Sequence, residues 1–346
     1  MSQIRFRVEI TGKVQGVGFR PTVYRYATER GLAGWVSNGP EGVTIEAQGD
    51  SETLVDFVTR LRAGLPPNSS IRTFDVIPLH PVDLPLPFQI MASRAESETD
   101  TALVPPDLAL CNECREDVLD PAGRRYLYPF TNCQNCGPRY SIVRELPYDR
   151  DKTTMSGFEM CPACRAEYLD PANRRFHAQP NACPLCGPQL RWTGERGPAG
   201  ASVLRITAEE LGVGRIVAIQ SIGGFHLACD ARRRDAVEIL RARKRRPHKP
   251  FAVMAADLVA ARRVAEVSAG AERVLTSPSA PAVMLPSKHE ILSWLAPGLD
   301  RLGLMLPYTP LHQALFRELA LLDGPDILVM TSGNFPAEPI CRDAHE

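Results

Sequence analysis

The sequence predicts an α+β protein of several domains, because three stretches of the chain follow three different patterns. Residues 1–92 contain strand-like and helix-like segments in the order βαββαβ, and residues 105–190 are rich in cysteine, proline and arginine. In residues 200–346, short strand-like segments alternate with helix-like ones. A chain of 346 residues is long enough for two or three ordinary domains. We therefore expect three domains with these boundaries.

The composition disfavours some classes of protein. Lys+Arg and Asp+Glu each total 40, which argues against a surface that binds polyanions all over. The chain has no run of 18 apolar residues and no apolar signal segment near Met1. We expect a cytoplasmic protein without a membrane partner.

Residues 1–92 predict a ferredoxin-like domain, in which helices cover an antiparallel sheet. Apolar and polar side chains alternate along residues 4–10, as in a half-buried strand. Pro21 opens a helix that ends at Gly31. The remaining predicted elements are strands at 34–37 and 43–48, a helix capped by Asp50 or Ser51, and strands at 71–77 and 88–91. The order βαββαβ is typical of this fold.

Residues 105–190 contain a duplicated unit with four CxxC pairs. The pairs repeat with a period of 50 residues and comprise Cys111 and Cys114, Cys133 and Cys136, Cys161 and Cys164, and Cys183 and Cys186. Each CxxC turn presents two thiolates to a tetrahedral ion, and four thiolates leave no open position. The spacing predicts a tandem zinc-finger domain with two structural zinc ions.

Other interpretations of the cysteines are disulfides, an iron–sulfur cluster or a redox CxxC, and an intracellular setting favours zinc over them. Sequential and interleaved pairings of the four CxxC motifs both remain open. Cys229 and Cys341 lie outside the pattern and are expected to be ordinary buried thiols. His177 lies near the second site, but we expect it not to bind the metal.

Residues 200–346 predict an α/β domain. A capping box at 207–210 is expected to open a short helix. The elements that follow are strands at 216–220 and 225–229, a helix at 233–246, strands at 251–254 and 283–285, a helix at 311–321 and a strand at 327–330. No clear domain end precedes Glu346.

A glycine-rich loop at 12–20 lies between the first predicted strand and helix. Glycines let backbone N–H groups point inward around an anion, the helix N-terminus adds positive charge, and Arg20 offers a planar fork for a phosphate or carboxylate. A tight β–α turn with a surface arginine is the simpler alternative.

This loop resembles the acylphosphatase signature G-x-V-Q-G-V-G-F-R, and Gly34–Asn38 with Gly42-Val43 resembles its companion motif. The resemblance implies that Arg20 binds the substrate phosphate and that Asn38 orients the attacking water. It also implies a phosphate loop made by Val14, Gln15, Gly16, Val17, Gly18 and Phe19. Such chemistry depends on positioning and charge stabilisation.

A basic cluster and a polar motif mark the third domain. The cluster at 244–250 is similar to the K-x-R-x-x-K element of the YrdC-like fold, and 331–334 to its S-x-N element. The resemblance implies that Lys244, Arg246 and Lys249 bind the ATP triphosphate, and that the nucleotide is also contacted by Ser332 and Asn334. A solvated basic helix end is the alternative.

The order of the three modules resembles carbamoyltransferases of the HypF family, which act in [NiFe]-hydrogenase maturation. The resemblance implies that carbamoyl phosphate is split to carbamate, and that carbamate reacts with ATP and Mg²⁺ to give carbamoyl adenylate. The carbamoyl group is then expected to reach the C-terminal cysteine of a HypE-type protein. That transfer uses a further C-terminal domain, so we expect this chain to be a fragment with an incomplete YrdC-like domain.

Three other functions are weighed against this one. One is an RNA-binding module, because YrdC-like folds can bind double-stranded RNA and four-cysteine zinc units often contact nucleic acid, although the balanced charge weakens that interpretation. A stand-alone acylphosphatase would ignore ATP. A threonylcarbamoyl-adenylate synthase is disfavoured because Met305 stands where those relatives usually have arginine. Carbamate is unstable in water, so we also hypothesise that the zinc module holds the two sites in a channelling geometry.

Overall fold

The structure is a computed structural model that describes residues 3–64, 66, 68–93, 103, 104, 106–194, 202–287, 290–343 and 345. The chain divides into two compact units, Met1–Asp107 with Asn132–Gly187 and Leu108–Thr131 with Pro188–Glu346. The predicted domain limits at residues 1, 105, 200 and 346 lie outside the described residues, and the three boundaries remain predictions.

The first unit contains a five-stranded sheet. Its strands are β1 (Ile4–Lys13), β2 (Ala33–Gly39), β3 (Gly42–Gly49), β4 (Ser70–Leu79) and β5 (Gln89–Ile90), in the order β4-β1-β3-β2-β5. All neighbours are antiparallel except β2 and β5. Its helices are α1 (Phe19–Glu29) and α2 (Ser51–Ala63). The predicted ferredoxin-like fold is confirmed.

The core of this unit lies between the sheet and these helices. Val8 and Ile45 of the sheet and Val23 and Phe57 of the helices are completely buried in one cluster. Asp50 caps α2, since its side chain accepts a hydrogen bond from the N–H of Thr53 at 3.0 Å.

The cysteine-rich residues form little regular structure. Helices α3 (Asn112–Leu119) and α4 (Pro162–Leu169) each follow the first cysteine of a CxxC pair, and both contain eight residues. Two short 3-10 helices, Arg150–Lys152 and Thr154–Gly157, lie between them in the chain. The repeat detected in the sequence is therefore visible as a repeated helix.

The second unit is built on a six-stranded mixed sheet in the order β6-β7-β11-β8-β10-β9. The strands are β6 (Val217–Ser221), β7 (Gly224–Asp230), β8 (Val253–Ala255), β9 (Val283–Pro286), β10 (Arg301–Met305) and β11 (Ile327–Ser332). The helices are α5 (Val203–Gly212), α6 (Arg234–Arg243), α7 (Leu258–Val264), α8 (Ala269–Leu275), α9 (Leu292–Leu295) and α10 (Pro310–Leu321). The predicted α/β architecture is confirmed.

Strand β8 is buried on both faces, because its consecutive residues belong to two different cores. Val253 packs with α6, whereas Met254 packs with α5 and α10. A strand buried on both sides reads as a continuous apolar run. The stretch predicted as a strand at 251–254 is accordingly a continuous apolar run.

The predicted capping box at 207–210 is wrong. Helix α5 begins at Val203, and the side chain of Ser202 caps it by accepting from the N–H of Arg205. Thr207 lies inside the helix and donates to the carbonyl of Val203 at 2.8 Å. A threonine hydroxyl inside a helix can donate a hydrogen bond to a carbonyl of the preceding turn. The presence of Thr207 therefore did not mark the start of the helix.

No helix among the described residues is long and apolar enough to cross a membrane.

A completely buried histidine lies in the second unit, on α10. The exposed fraction of His312 is 1%, and its ring lies edge-on to Tyr308 with centroids 4.7 Å apart. Burial, with a further contribution from His226, lowers the pKa of His312 from 6.5 to about 3. Neither ring nitrogen has a hydrogen-bond partner among the described residues.

This histidine should make stability depend on pH. Between pH 6.5 and pH 3 the unfolded chain binds a proton that folded His312 does not, so the free energy of unfolding falls as pH falls, by about 1.4 kcal/mol per unit. We expect His312→Leu to remove that slope in urea titrations at pH 4.5–7, while exposed His248→Asn keeps it. A constant stability difference between His312→Leu and the parent protein would contradict this.

Candidate functional site

The glycine-rich loop of the first unit connects β1 to α1. Val14, Val17 and Phe19 are at most 2% exposed and anchor the loop in the core. Gly16 and Gly18 have φ angles of 64° and 80°, which glycine adopts without strain. This turn brings the loop onto the N-terminus of α1, a position suited to an anion.

The loop lines a small cleft. Its walls come from three parts of the unit. They are residues of the loop and the start of α1 (Val14, Gln15, Gly16, Gly18, Phe19, Arg20, Pro21), Asn38 of β2, and the cysteine-rich residues Cys133, Gln134, Arg139, Tyr148, His177, Ala178, Gln179 and Pro180. The structure therefore brings both predicted catalytic residues, Arg20 and Asn38, into one cleft.

Arg20 is held by an ion pair. Its Nη2 lies 2.6 Å from Oδ1 of Asp149, and its Nη1 donates to the hydroxyl of Ser93 at 3.2 Å. The same hydroxyl donates to the other carboxylate oxygen of Asp149. The exposed fraction of Arg20 is 8%, so this guanidinium is a buried, oriented cation in the cleft wall rather than a surface arginine.

Asn38 contributes an acceptor without a partner. The residue is 1% exposed, and its Oδ1 is buried with no hydrogen-bond partner among the described residues. Buried polar atoms normally have partners, and an orphan costs about 1–3 kcal/mol. An acceptor kept in this state at the wall of a cleft is suited to orienting a water molecule.

Gln15 has a supporting role that the phosphate-loop prediction did not include. Its Nε2 donates to the carbonyls of Gly39 and Gly42 at 2.7 and 3.1 Å, at the turn that follows Asn38. Its Oε1 accepts from the backbone N–H of Tyr148 at 3.1 Å. The side chain thus ties the loop to the strand that carries Asn38.

Sequence reasoning missed the cysteine-rich wall of this cleft. His177, which we expected to lie near the second zinc site without binding the metal, lies in this wall. Burial and the charge of Arg20 lower its pKa to about 4. It is therefore neutral near pH 7. Four consecutive residues of this wall, His177-Ala178-Gln179-Pro180, stand together in the sequence, whereas nothing in the local sequence distinguished Asp149.

The eight CxxC cysteines form two groups in sequential pairing. Cys111, Cys114, Cys133 and Cys136 form one group and Cys161, Cys164, Cys183 and Cys186 the other, with all sulfurs of a group within 4.8 Å of one another. His177 belongs to neither group among the described residues. The interleaved pairing, left open by the sequence, is not the one found.

The geometry of these groups fits zinc. Sulfurs bound tetrahedrally at about 2.3 Å from an ion lie about 3.8 Å apart. The Sγ–Sγ distances are 3.8 Å for Cys133–Cys136, 3.7 Å for Cys161–Cys183 and 3.8 Å for Cys183–Cys186. Burial raises the pKa of Cys161, but hydrogen bonds from Cys164 and neighbouring thiols bring it down to about 7. Such a thiol is readily available as a thiolate ligand.

The predicted nucleotide residues of the second unit lie together. Nζ of buried Lys244 donates to the carbonyls of Ser332 and Asn334 at 2.5 and 2.8 Å, and Nη1 of Arg246 donates to the Thr331 hydroxyl at 3.2 Å. The Ser332 hydroxyl donates to Oδ1 of Asn334 at 2.6 Å. The basic cluster after α6 and the motif after β11 therefore form one site.

This site concentrates positive charge. Burial and then repulsion from Arg246 lower the pKa of Lys244; Cys341 opposes this, and Lys249 adds a still smaller lowering. Burial and Arg241 lower the pKa of Arg246. Lys249 itself is exposed. A bound polyanion would relieve this repulsion, so the arrangement is suited to a triphosphate.

Three family models match the chain in the order of its modules. The acylphosphatase model matches residues 6–88, the HypF finger model matches residues 110–143 and 160–193, and the Sua5/YciO/YrdC model, described as telomere recombination, matches residues 209–346.

Relatives match nearly the whole chain. Carbamoyltransferase HypF of Rhodobacter capsulatus is 49% identical over 96% of this chain and 44% of its own length. HypF of Synechocystis is 47% identical over 97% of this chain and 43% of its own length. The crystal structure of full-length HypF in its phosphate- and nucleotide-bound form superposes with a TM-score of 0.94, at 42% identity, over 100% of this chain and 45% of that one. The chain thus spans less than half the length of these relatives.

Proposed function

The chain belongs to the HypF family of carbamoyltransferases, and from that premise we propose that it combines two reactions. In the first, water attacks carbamoyl phosphate and yields carbamate and inorganic phosphate. In the second, a carbamate oxygen attacks the α-phosphorus of ATP and releases pyrophosphate, which leaves carbamoyl adenylate. The observation that carries the proposal is the pairing of oriented Arg20 with the unpartnered oxygen of Asn38 in one cleft.

In the hydrolysis step, Arg20 and the N–H groups of the loop 14–19 bind the phosphoryl oxygens. Oδ1 of Asn38 accepts a hydrogen bond from the attacking water and holds it in line. Phosphoryl transfer needs this kind of positioning and charge stabilisation more than covalent catalysis. The small cleft and its neutral His177 suit a compact, uncharged acyl group such as carbamoyl.

In the adenylation step, Lys244, Arg246 and Lys249 would bind the triphosphate of ATP, which would enter the site as its Mg²⁺ complex. Ser332 and Asn334 contact the nucleotide beside them. Charge builds up on the departing pyrophosphate, and the clustered cations stabilise it. Partly buried lysine and arginine do this better than solvated ones, because the local dielectric is lower.

Two zinc ions would be held by the two four-cysteine groups, and they supply folding energy rather than chemistry. Reduced cysteines of this kind are typical of the cytoplasm, where we place the protein. The proposed final acceptor of the carbamoyl group is the C-terminal cysteine of a HypE-type protein. Attack by its thiolate on the adenylate would release AMP.

The test is pyrophosphate release from ATP, measured with and without carbamoyl phosphate. We expect pyrophosphate release to require carbamoyl phosphate. Its rate should fall at least about 100-fold in both Arg20→Ala and Lys244→Ala, because each substitution removes a group that stabilises developing charge. Arg20→Ala should lose phosphate production as well, whereas Lys244→Ala should keep it.

Two controls separate the alternatives. Threonine with bicarbonate should not replace carbamoyl phosphate, and if it does, the chain makes threonylcarbamoyl adenylate instead. Carbamoyl phosphate hydrolysis through Arg20 without any pyrophosphate release would show that only the acylphosphatase-like reaction is present.

A further inference from the structure

We propose that Asp149 is a positioning residue that holds the Arg20 guanidinium in its phosphate-binding orientation. Asp149 lies in the cysteine-rich part of the first unit, outside the residues that match the acylphosphatase model. This inference rests on the proposed hydrolysis at the Arg20 cleft and adds a residue to that site.

The contacts form a closed triangle. Arg20 uses Nη2 for Oδ1 of Asp149 and Nη1 for the Ser93 hydroxyl, and that hydroxyl donates to Oδ2 of Asp149. An arginine has five N–H donors. Two of them are engaged here, which leaves three for substrate oxygens. Because guanidinium is planar, fixing two donors fixes the direction of the rest.

Asp149 contacts Arg20 but does not itself line the cleft that Arg20 lines. Its Oδ1 also accepts from Nε2 of Gln179, a residue of the cleft wall, at 3.4 Å. Its side chain is 22% exposed, against 9% for that of Arg20. The effect of this carboxylate on the substrate is exerted through the guanidinium that it holds.

The backbone around Asp149 is itself held on both sides. The N–H of Tyr148 donates to Oε1 of Gln15 at 3.1 Å, and the N–H of Arg150 donates to Oε1 of Gln179 at 3.0 Å. The guanidinium of Arg150 also donates to the carbonyl of Gln179 at 2.6 Å. An anchored carboxylate can orient its partner, whereas one on a free loop could not.

Both side-chain partners of Arg20, Ser93 and Asp149, lie outside residues 6–88, which match the acylphosphatase model. Reacting groups misplaced by about 1 Å can lose about 100-fold in rate. A negative charge beside Arg20 should at the same time weaken its attraction for phosphate. Asp149 thus lowers the affinity of Arg20 for phosphate while it fixes the orientation of the guanidinium. A residue that only supports the fold would not have this effect on phosphate affinity.

The experiment compares Asp149→Asn with Asp151→Asn, an exposed carboxylate two residues away. We expect kcat for carbamoyl phosphate hydrolysis to fall about 100-fold in Asp149→Asn, while inhibition by inorganic phosphate stays equal or becomes stronger. Zinc content and melting temperature should match those of the control. Weaker phosphate inhibition together with a lowered melting temperature would assign a structural role and overturn the proposal.

A double-mutant cycle with Arg20→Lys tests whether Asp149 acts through Arg20. Lysine keeps the charge but has no planar fork for Asp149 to orient. In the Arg20→Lys background, adding Asp149→Asn should therefore lower kcat by less than about threefold. An equal loss in both backgrounds would contradict the inference. If Arg20→Lys has no effect on hydrolysis, the proposed function fails. If Arg20→Lys lowers hydrolysis and Asp149→Asn does not, only the role of Asp149 fails.

Discussion

Replacing Cys183 by serine is expected to halve the zinc content, unfold residues 150–187 locally and abolish carbamoyl phosphate hydrolysis. Cys183 belongs to the four-cysteine group that lies wholly in the first unit. This stretch has few regular elements, with α4 of eight residues and two short 3-10 helices. Zinc sites of this type contribute about 10 kcal/mol or more to folding, so little else can hold the stretch together.

Hydrolysis should be lost because the same stretch supplies part of one wall of the cleft, including His177 and Gln179. The measurements are zinc per chain with a colorimetric chelator, limited proteolysis between 150 and 187, and phosphate release. Cys341→Ser is the matched control, because Cys341 lies outside both groups and should keep two zinc ions. A zinc-depleted protein that resists proteolysis and hydrolyses normally would refute this dependence.

Asn38→Ala is expected to lower carbamoyl phosphate hydrolysis by about 100-fold or more without destabilising the protein. Most buried polar residues stabilise a fold through hydrogen bonds, but Oδ1 of Asn38 has no such partner among the described residues. Removing a buried orphan acceptor relieves a desolvation cost of about 1–3 kcal/mol. The free energy of unfolding should therefore stay equal or rise while activity falls.

Ser37→Ala provides the control for this prediction. Ser37 precedes Asn38 on β2, is equally buried, and its hydroxyl also lacks a partner among the described residues. It does not line the cleft, so the variant should be as stable as Asn38→Ala and fully active. Urea unfolding and phosphate release measure both properties. Normal hydrolysis in a destabilised Asn38→Ala protein would mean that the amide serves the fold rather than the water.

Features that depend on near neighbours could be predicted from the amino-acid sequence. Asp50 caps α2 because its carboxylate reaches an N–H three residues ahead. The glycines at 16 and 18 allow positive φ angles because they lack a side chain. The strand alternation from Ile4 onward and the 50-residue cysteine repeat are likewise regular patterns. The order of strands and helices and the expectation of zinc followed from such patterns.

Only the folded chain decided the contacts between distant residues. Arg20 and Asp149 are separated by 129 positions, and no pattern near either one indicates the other. Sequential pairing of the cysteines and the inward position of His177 depend on how the stretch folds back. Ser202 rather than Thr207 caps α5, although the local sequence favoured Thr207. Local chemistry sets which conformations a segment prefers, whereas burial and partners remote in the chain select among them.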